Sequence, residues 1–288
     1  MQTKRSKVTE KDVERWTQKW LKLQKEGNYL PWLEVREVPS TGRSRKVKGI
    51  KTGHTHHLLS DLEYYIYLML EYDPTVTAIY EQFPLLPRED SIEIANEMGI
   101  RHPVYPQSST PIVLTTDFVF DQIVEAGKTQ RKAITAKYKS ALDVEKKKTK
   151  RTLHKIELEK LVHAKNGIEL KCVTEECINR KMVYNLKWFI QDAVIDEELK
   201  EVTTVWQEAF LGPLKIASEI KLSDQLKSTA KAANIDYETS VRLYRHCMWN
   251  QLLKTDITEK IELTRKIKYD SYQKSNESDS DSCNPSEN

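Results

Sequence analysis

The 288-residue sequence has little that would place it in a membrane or outside the cell. No apolar run approaches the length of a membrane span, and the charged start lacks the apolar segment of a signal peptide. The four cysteines show no CxxC spacing, which argues against a zinc knuckle or a disulfide framework and favours reduced thiols: Cys172, Cys177, Cys247 and Cys283. We therefore expect a cytoplasmic protein with no membrane contact. With 39% hydrophobic and 31% charged residues, the chain can form one large or two medium domains.

Charge is segregated along the chain, although the net charge is only +3. Residues 1–55 hold 14 Lys and Arg against 6 Asp and Glu, residues 128–160 hold 12 against 4, and residues 56–127 hold 2 against 12. An acidic centre between basic flanks suits a metal-dependent enzyme that acts on a polyanion, because cations hold phosphates while carboxylates hold metal. Ordinary solvated helices of variable charge give the same pattern.

The basic flanks supply candidate contacts to a nucleic-acid backbone. Small hydroxyls among arginines in the polar loop predicted over residues 40–49 suit phosphate, although a solvated hairpin loop is at least as good an interpretation. The candidates are Arg43, Arg45 and Lys46 in this loop and Lys146, Lys147 and Lys148 in the second basic stretch.

A strand, a turn and a second strand are predicted between residues 112 and 137. Asp117 lies among β-branched and aromatic residues of the first strand, and Lys137 ends the second. Thr135 and Lys137 share a face, because strand side chains repeat every two residues. A three-residue loop at 126–128 would place Asp117 opposite Lys137, whereas a two-residue loop would pair it with Ala136 and turn Lys137 to the other face. A shared site requires the first loop or a bulge.

These strand charges have two interpretations. A hard divalent cation takes oxygen ligands, and an adjacent ammonium can orient a water or offset charge on a phosphate under attack. A buried structural ion pair between Asp117 and Lys137 explains the same residues equally well.

Glu63 also has two candidate roles. Ser60-x-x-Glu63 is a capping box, in which the glutamate bonds back to the Ser60 amide. The same residue borders the buried stripe of the predicted helix and could face a metal held by the sheet. The neighbouring His54, His56 and His57 lack spaced partner ligands, so we expect supporting or surface roles for them rather than metal ligation.

The remaining patterns are those of an α/β unit followed by helices. We predict helices ending near Gly27, starting at Ser60 and covering 152–166, strands over 32–39, 76–80 and 168–173, and a polar helix or loop over 88–111. Composition changes after about Ile178, and only helical patterns follow, over 196–211, 214–232 and 237–253. The last two resemble a helix-turn-helix, a pair that more often serves only packing. We predict domains over 1–178 and 179–269, then a disordered acidic tail over 270–288.

Several multi-residue blocks, found in the family's order, resemble TnsA, the endonuclease subunit of heteromeric cut-and-paste transposases. The blocks are Pro31-Trp32-Leu33, residues 37–44 (EVPSTGRS), residues 56–63 (HHLLSDLE), residues 81–87 (EQFPLLP) and Thr115-Thr116-Asp117-Phe118. The resemblance covers about residues 10–178 and weakens over the C-terminal helices. It implies an α/β restriction-endonuclease-like fold, with a mixed sheet flanked by helices, followed by a helical C-terminal domain similar to winged helices.

The resemblance also implies an activity and partners. The expected reaction is Mg-dependent hydrolysis of the strand at the five-prime ends of the transposon, with Mn as a substitute metal. The implied partners are double-stranded DNA at the transposon ends, the transposase TnsB, which cuts and joins the three-prime ends, and the AAA+ regulator TnsC, bound through the C-terminal part.

Carried over by position, the resemblance assigns the catalytic residues to Glu63, Asp117 and Lys137. The implied metal ligands are Glu63 and Asp117, with the Ala136 carbonyl and Thr135 completing the set. Thr135 departs from the nuclease pattern, which has a glutamate or glutamine two residues before the lysine. A hydroxyl is a weaker metal ligand than a carboxylate and could bind through water.

Three hypotheses follow. In the first, the protein is a metal-dependent DNA endonuclease subunit of a transposase. In the second, Thr135 marks a decayed site, and the protein is a DNA-binding scaffold that docks the regulator. In the third, it is a stand-alone restriction-like or junction-resolving nuclease, which would cut DNA without a partner.

Overall fold

We describe the protein from a computed structural model over residues 5, 7–37, 43–143, 149–214, 219–267 and 272–274. The chain divides into two compact units, Met1–Ile178 and Asn179–Asn288. Within the described ranges, no helix is long and apolar enough to cross a membrane.

The first unit is built on a four-stranded mixed sheet. Its strands are β3 (Val76–Pro84), β4 (Thr115–Ile123), β5 (Thr129–Ala136) and β6 (Glu169–Val173), in the order β3-β4-β5-β6. β3 pairs antiparallel with β4, β4 antiparallel with β5, and β5 parallel with β6. A separate two-stranded sheet joins β1 (Arg45–Lys48) and β2 (Thr55–Leu58).

Four helices complete this unit, so the predicted α/β class, a mixed sheet with flanking helices, is confirmed. They are α1 (Glu10–Lys25), α2 (Asp61–Tyr72), α3 (Arg88–Glu97) and α4 (Thr149–Lys165). α1 starts at a capping box between Thr9 and Asp12 and buries Val13 and Trp20. α3 and α4 share an apolar cluster made of Leu85, Ile94, Ala95, Leu114, Leu158 and Val162. This packing fixes α4 beside the central strands.

The central hairpin has neither of the two registers that the sequence left open. Its turn is Glu125–Gly127, and the ladder, continued by one residue, sets Asp117 opposite Thr135 rather than Lys137 or Ala136. Thr135 and Lys137 are two residues apart, and strand side chains alternate between the two faces with a period of two. Asp117, Thr135 and Lys137 therefore still share one face of the sheet.

Two predictions around residue 40 are also wrong. Residues 32–37 form turns rather than a strand, because Glu37 accepts the Glu34 amide at 3.0 Å and so replaces a strand partner for this backbone. Trp32 is buried in a cluster with Trp20. The polar loop predicted over 40–49 contains β1, and residues 38–42 lie outside the described ranges.

The second unit is mainly helical, as predicted, with additions. Its helices are α5 (Arg180–Phe189), α6 (Glu197–Leu214), α7 (Leu222–Ala232) and α8 (Tyr237–Trp249). The sequence reasoning missed α5 and two short strand pairs, Ile220–Lys221 with Lys266–Ile267 and Leu253–Lys254 with Gln273–Lys274. Trp206 stacks on Phe210 with ring centroids 5.2 Å apart, and both are fully buried. The predicted acidic tail lies outside the described residues except for 272–274.

Candidate active site

Asp117 on β4 is held by three donors from one short segment of the neighbouring strand. Its Oδ2 accepts the Ala136 amide at 2.7 Å, the Thr135 hydroxyl at 3.2 Å and the Lys137 ammonium at 3.0 Å. The Asp117 side chain is 17% exposed and that of Lys137 is 23% exposed. A largely buried carboxylate is thus fixed in place but remains open on one side.

Lys137 is fixed as firmly as its partner. Its Nζ donates to Asp117, to Thr135 Oγ1 at 3.1 Å and to the Ala136 carbonyl at 2.9 Å. Burial acts to lower the pKa of this lysine, but the Asp117 carboxylate outweighs burial, and the pKa lies above its usual value. Lys137 is therefore a permanent cation at neutral pH and cannot serve as a general base.

Burial likewise acts to raise the pKa of Asp117. The Lys137 charge and the Ala136 amide outweigh that effect and hold the pKa below its usual range. Asp117 is therefore ionised at neutral pH, as a metal ligand must be.

Glu63 enters the site from the first turn of α2. Ser60 caps this helix, accepting the Glu63 amide at 3.1 Å. The Glu63 carboxylate accepts the Leu59 amide at 2.9 Å and the Ser60 hydroxyl at 2.9 Å, so it bonds one residue further back than the predicted Ser60 amide. Gln82 on β3 adds a third donor at 3.3 Å. The carboxylate is thus a helix cap and, at the same time, a group facing the sheet.

The negative charge of Asp117 acts on Glu63. Glu63 is 6% exposed; burial, followed by the negative charge of Asp117, raises its pKa to about 7. A bound cation would offset the repulsion between the Asp117 charge and the buried Glu63 carboxyl group, so the pair suits a cation.

Glu159 on α4 is a functional candidate that the sequence reasoning missed. It is 1% exposed, and its Oε2 has no hydrogen-bond partner within the described part of the chain. Burial raises its pKa to about 7, and the charges of Lys155, Asp117 and Lys137 and the hydroxyl of Thr135 all act on it. The signal in the sequence was a glutamate within the apolar stripe of a helix.

The donor set fits a hard divalent cation. Glu63 and Glu159 are buried, Asp117 is partly exposed, and all three carboxyl groups act on the Lys137 ammonium. Among the described residues, one oxygen of Glu159 has no hydrogen-bond partner. Oxygen ligands of this kind are those that Mg²⁺ and Ca²⁺ take in proteins. Thr135 and Ala136, which the sequence reasoning placed among the ligands, contact Asp117 and Lys137 directly.

The candidate DNA contacts divide into three groups. Arg43 and Lys46 are exposed. Arg45 forms an ion pair with Asp61 and lies 4.1 Å over the Tyr64 ring, so it is engaged with α2. Lys146, Lys147 and Lys148 lie outside the described residues.

A second cluster of potential metal ligands joins His54, His56 and Glu81. His56 Nδ1 lies 2.6 Å from Glu81 Oε2, and its other nitrogen lies 3.0 Å from the Thr52 hydroxyl. Two ligands of one tetrahedral zinc lie about 3.3 Å apart, because each bond to the metal is about 2.0–2.1 Å long. The 2.6 Å distance between His56 Nδ1 and Glu81 Oε2 is shorter than that separation, so this contact is a hydrogen bond. Burial would raise the pKa of Glu81, but the histidine hydrogen bonds lower it to about 2. We interpret the cluster as a largely buried hydrogen-bond network.

The network bears on the two roles expected for these histidines. His56 and His57 are buried, which fits the supporting role rather than the surface role. They join β2 to β3, since Glu81 Oε1 accepts the His57 amide at 3.0 Å.

Comparison with known proteins gives two matches. Residues 73–175 match the family described as TnsA-like endonuclease N terminal. Over 211 residues the chain is 37% identical to the transposon Tn7 transposition protein TnsA of Escherichia coli, an alignment that covers 73% of this chain and 71% of that protein. The family match contains Asp117, Lys137 and Glu159, whereas Glu63 precedes it.

Proposed function

This chain belongs to the TnsA family of transposition endonucleases, and from that membership we propose that Glu63, Asp117 and Lys137 form its catalytic centre. The proposed reaction is hydrolysis of the DNA strand at the five-prime ends of the transposon. The observation that supports it best is the convergence of a helix carboxylate, a strand carboxylate and a buried ammonium that are separated by up to 74 positions in the sequence.

Glu63 and Asp117 would hold Mg²⁺, or Mn²⁺ in its place, with Glu159, Thr135 and the Ala136 carbonyl as neighbouring oxygens. A divalent cation bound there would polarise the scissile phosphate and lower the pKa of a bound water. The buried surroundings of these carboxylates strengthen their interaction with any cation.

Lys137 would act through its fixed charge. Negative charge builds on the phosphate as a water attacks it, and a preorganised ammonium stabilises that charge without reorganising. Its hydrogen bonds to Asp117, Thr135 and the Ala136 carbonyl hold the ammonium in position before DNA arrives.

We propose double-stranded transposon-end DNA as substrate, TnsB as the partner that cuts the other strand, and TnsC as the regulator that docks on residues 179–269. Arg43 and Lys46 would contact the DNA backbone, with Lys146, Lys147 and Lys148 as further candidates. The reaction would take place in the cytoplasm, where free thiols such as those of Cys172 and Cys177 stay reduced.

Strand-specific cleavage of labelled transposon-end DNA in Mg²⁺, with and without TnsB, tests this proposal. Wild type should cut the five-prime strand only when TnsB is present. Asp117→Asn and Lys137→Ala should slow cutting by at least about 10²-fold, the loss typical of a group that stabilises transition-state charge.

Two matched variants serve as controls. Asp121→Asn changes a β4 carboxylate that pairs with Arg131, and Lys139→Ala changes an exposed lysine two residues beyond Lys137. Both should cut at the wild-type rate. Wild-type rates for Asp117→Asn and Lys137→Ala would refute the assignment, and cutting without TnsB would favour a stand-alone nuclease.

A further inference from the structure

Gln82 lies at a strained position directly beside the candidate centre. The β3–β4 ladder pairs Glu81 with Phe118 and Phe83 with Thr116, so Gln82 falls opposite Asp117. Its backbone φ is +47°, although it stands inside a strand and is not glycine. A residue of this kind keeps such a conformation only when its surroundings hold it there, and such residues concentrate at functional sites.

The contacts of Gln82 fix the direction of its amide group. The side chain is buried, with the residue 2% exposed. Its Oε1 accepts the Thr115 hydroxyl at 3.5 Å, and its Nε2 donates to Glu63 Oε2 at 3.3 Å. The main-chain carbonyl of Gln82 accepts the Trp32 amide at 3.1 Å. Both ends of the residue are therefore engaged, and the amide nitrogen donates to an oxygen of Glu63.

Gln82 differs from the other donors to Glu63 in where it comes from. The Leu59 amide and the Ser60 hydroxyl belong to the N-terminal cap of α2, the helix that carries Glu63. Gln82 belongs to the sheet that carries Asp117. Of the three donors, only Gln82 ties the helix carboxylate to the sheet that carries Asp117.

We propose that Gln82 is a positioning residue that sets the placement of Glu63 relative to Asp117, and thereby the affinity of the site for a divalent cation. This inference rests on the proposed function of the Glu63 and Asp117 pair. Its physical basis is that a donor to a metal-binding carboxylate fixes the orientation of that ligand, and loss of such a donor typically lowers metal affinity about 10–100-fold. Because the backbone of Gln82 is left-handed, its side-chain amide lies where that of an extended residue at this position would not.

The test measures Mn²⁺ binding to the full chain without DNA by calorimetry, together with thermal unfolding of each variant. Gln82→Gly removes the amide but adopts a positive φ freely, so the backbone conformation is retained. Gln82→Met keeps the length and removes the donor. Both should bind Mn²⁺ at least about 10-fold more weakly than wild type. Gln82→Gly should unfold at a temperature no lower than Gln82→Met, because only the latter keeps the backbone strain.

Gln122→Ala provides the matched control. Gln122 lies on β4, and its amide donates to the Thr75 hydroxyl at 2.9 Å, away from Glu63. This variant should keep wild-type Mn²⁺ affinity. In the cleavage assay, the Gln82 variants should need a higher Mg²⁺ concentration for half-maximal rate, and saturating Mg²⁺ should recover much of the rate.

Asp117→Asn separates failure of this inference from failure of the proposed function. If Asp117→Asn loses Mn²⁺ binding while a folded Gln82→Gly or Gln82→Met binds as wild type does, the positioning role is overturned. If Asp117→Asn itself binds Mn²⁺ as wild type does, the metal site is misassigned and the inference falls with it.

Discussion

Thr135 occupies the position at which the resemblance to nucleases calls for a carboxylate or carboxamide. Its hydroxyl contacts both Asp117 and Lys137, so the residue orders the two charged groups. The nearby carboxylate comes instead from Glu159 on α4, a helix that packs beside the sheet. A side chain from another element can thus supply the oxygen that β5 lacks.

Glu159→Gln should weaken both Mn²⁺ binding and cleavage by about 10–100-fold, since it removes a buried negative charge beside the metal ligands. Glu157→Gln, which alters an exposed glutamate on the same helix, should change neither. Calorimetry and the strand-specific cleavage assay give the two readouts. Unchanged metal affinity and cleavage in Glu159→Gln would show that this carboxyl plays only a packing role.

The buried His163 should make the free energy of unfolding depend on pH. It is 2% exposed and lies 2.8 Å from the Thr116 hydroxyl, and burial lowers its pKa to about 4. The unfolded chain has a histidine pKa near 6.5, so between about pH 4 and 6.5 only the unfolded state binds this proton. The contribution of His163 to stability is therefore complete above about pH 6.5 and is lost as the pH falls.

Between pH 7 and pH 5, this histidine should lower the wild-type free energy of unfolding by about 2 kcal/mol. His163→Asn should reduce the pH dependence by that amount, as measured by urea unfolding at the two pH values. Identical pH dependence in wild type and His163→Asn would contradict the assignment.

At the level of elements, the N-terminus of α2 joins folding to the site. Ser60 accepts the Glu63 amide and donates to the Glu63 carboxylate, so one hydroxyl both caps the helix and orients the catalytic candidate. The capping box was visible in the sequence, and it does not exclude a catalytic role. Loss of the Ser60 hydroxyl should therefore affect both the stability of α2 and the orientation of Glu63.

Ser60→Ala should lower the free energy of unfolding by about 1 kcal/mol, the usual cost of losing a cap, and should also weaken Mn²⁺ binding. Asp236→Ala removes the cap of α8, in the second unit, and should cost similar stability without changing Mn²⁺ affinity. Unfolding and calorimetry on the two variants separate the effects. Equal metal affinity in both variants would mean that Ser60 only caps the helix.

The sequence permitted prediction of the elements that have strong periodicity or caps, such as α1, α2, α4 and β6. It could not define the hairpin turn, because two-residue periodicity fixes only whether two side chains share a face. The strand predicted at residues 32–39 failed because side-chain hydrogen bonds within a turn satisfy the backbone there. Glu159 was missed because the distance between a helix and a strand depends on tertiary packing.

At the scale of the whole molecule, the chain divides after Ile178 into a unit with the candidate centre and a unit without it. Glu63, Asp117, Lys137 and Glu159 all lie in Met1–Ile178. If the units are independent domains, as the sequence predicts, the metal site needs nothing from the second one.

A fragment of residues 1–178 should therefore bind Mn²⁺ with the affinity of the full chain and gain thermal stability from it, since a ligand stabilises the state that binds it. It should not retain TnsC, which residues 179–288 should bind. Calorimetry and a binding assay with purified TnsC check the two statements. Loss of Mn²⁺ binding in a folded fragment would show that the centre depends on the second unit.

The central claim is that Glu63 and Asp117 hold the catalytic cation. The most direct test is anomalous diffraction from crystals of the protein grown with Mn²⁺, because it locates the ion without reference to activity. We predict an anomalous peak in contact with carboxylate oxygens of Glu63 and Asp117, absent in Asp117→Asn crystals. A peak at His54, His56 and Glu81, or none at the Glu63 and Asp117 pair under saturating Mn²⁺, would contradict the account.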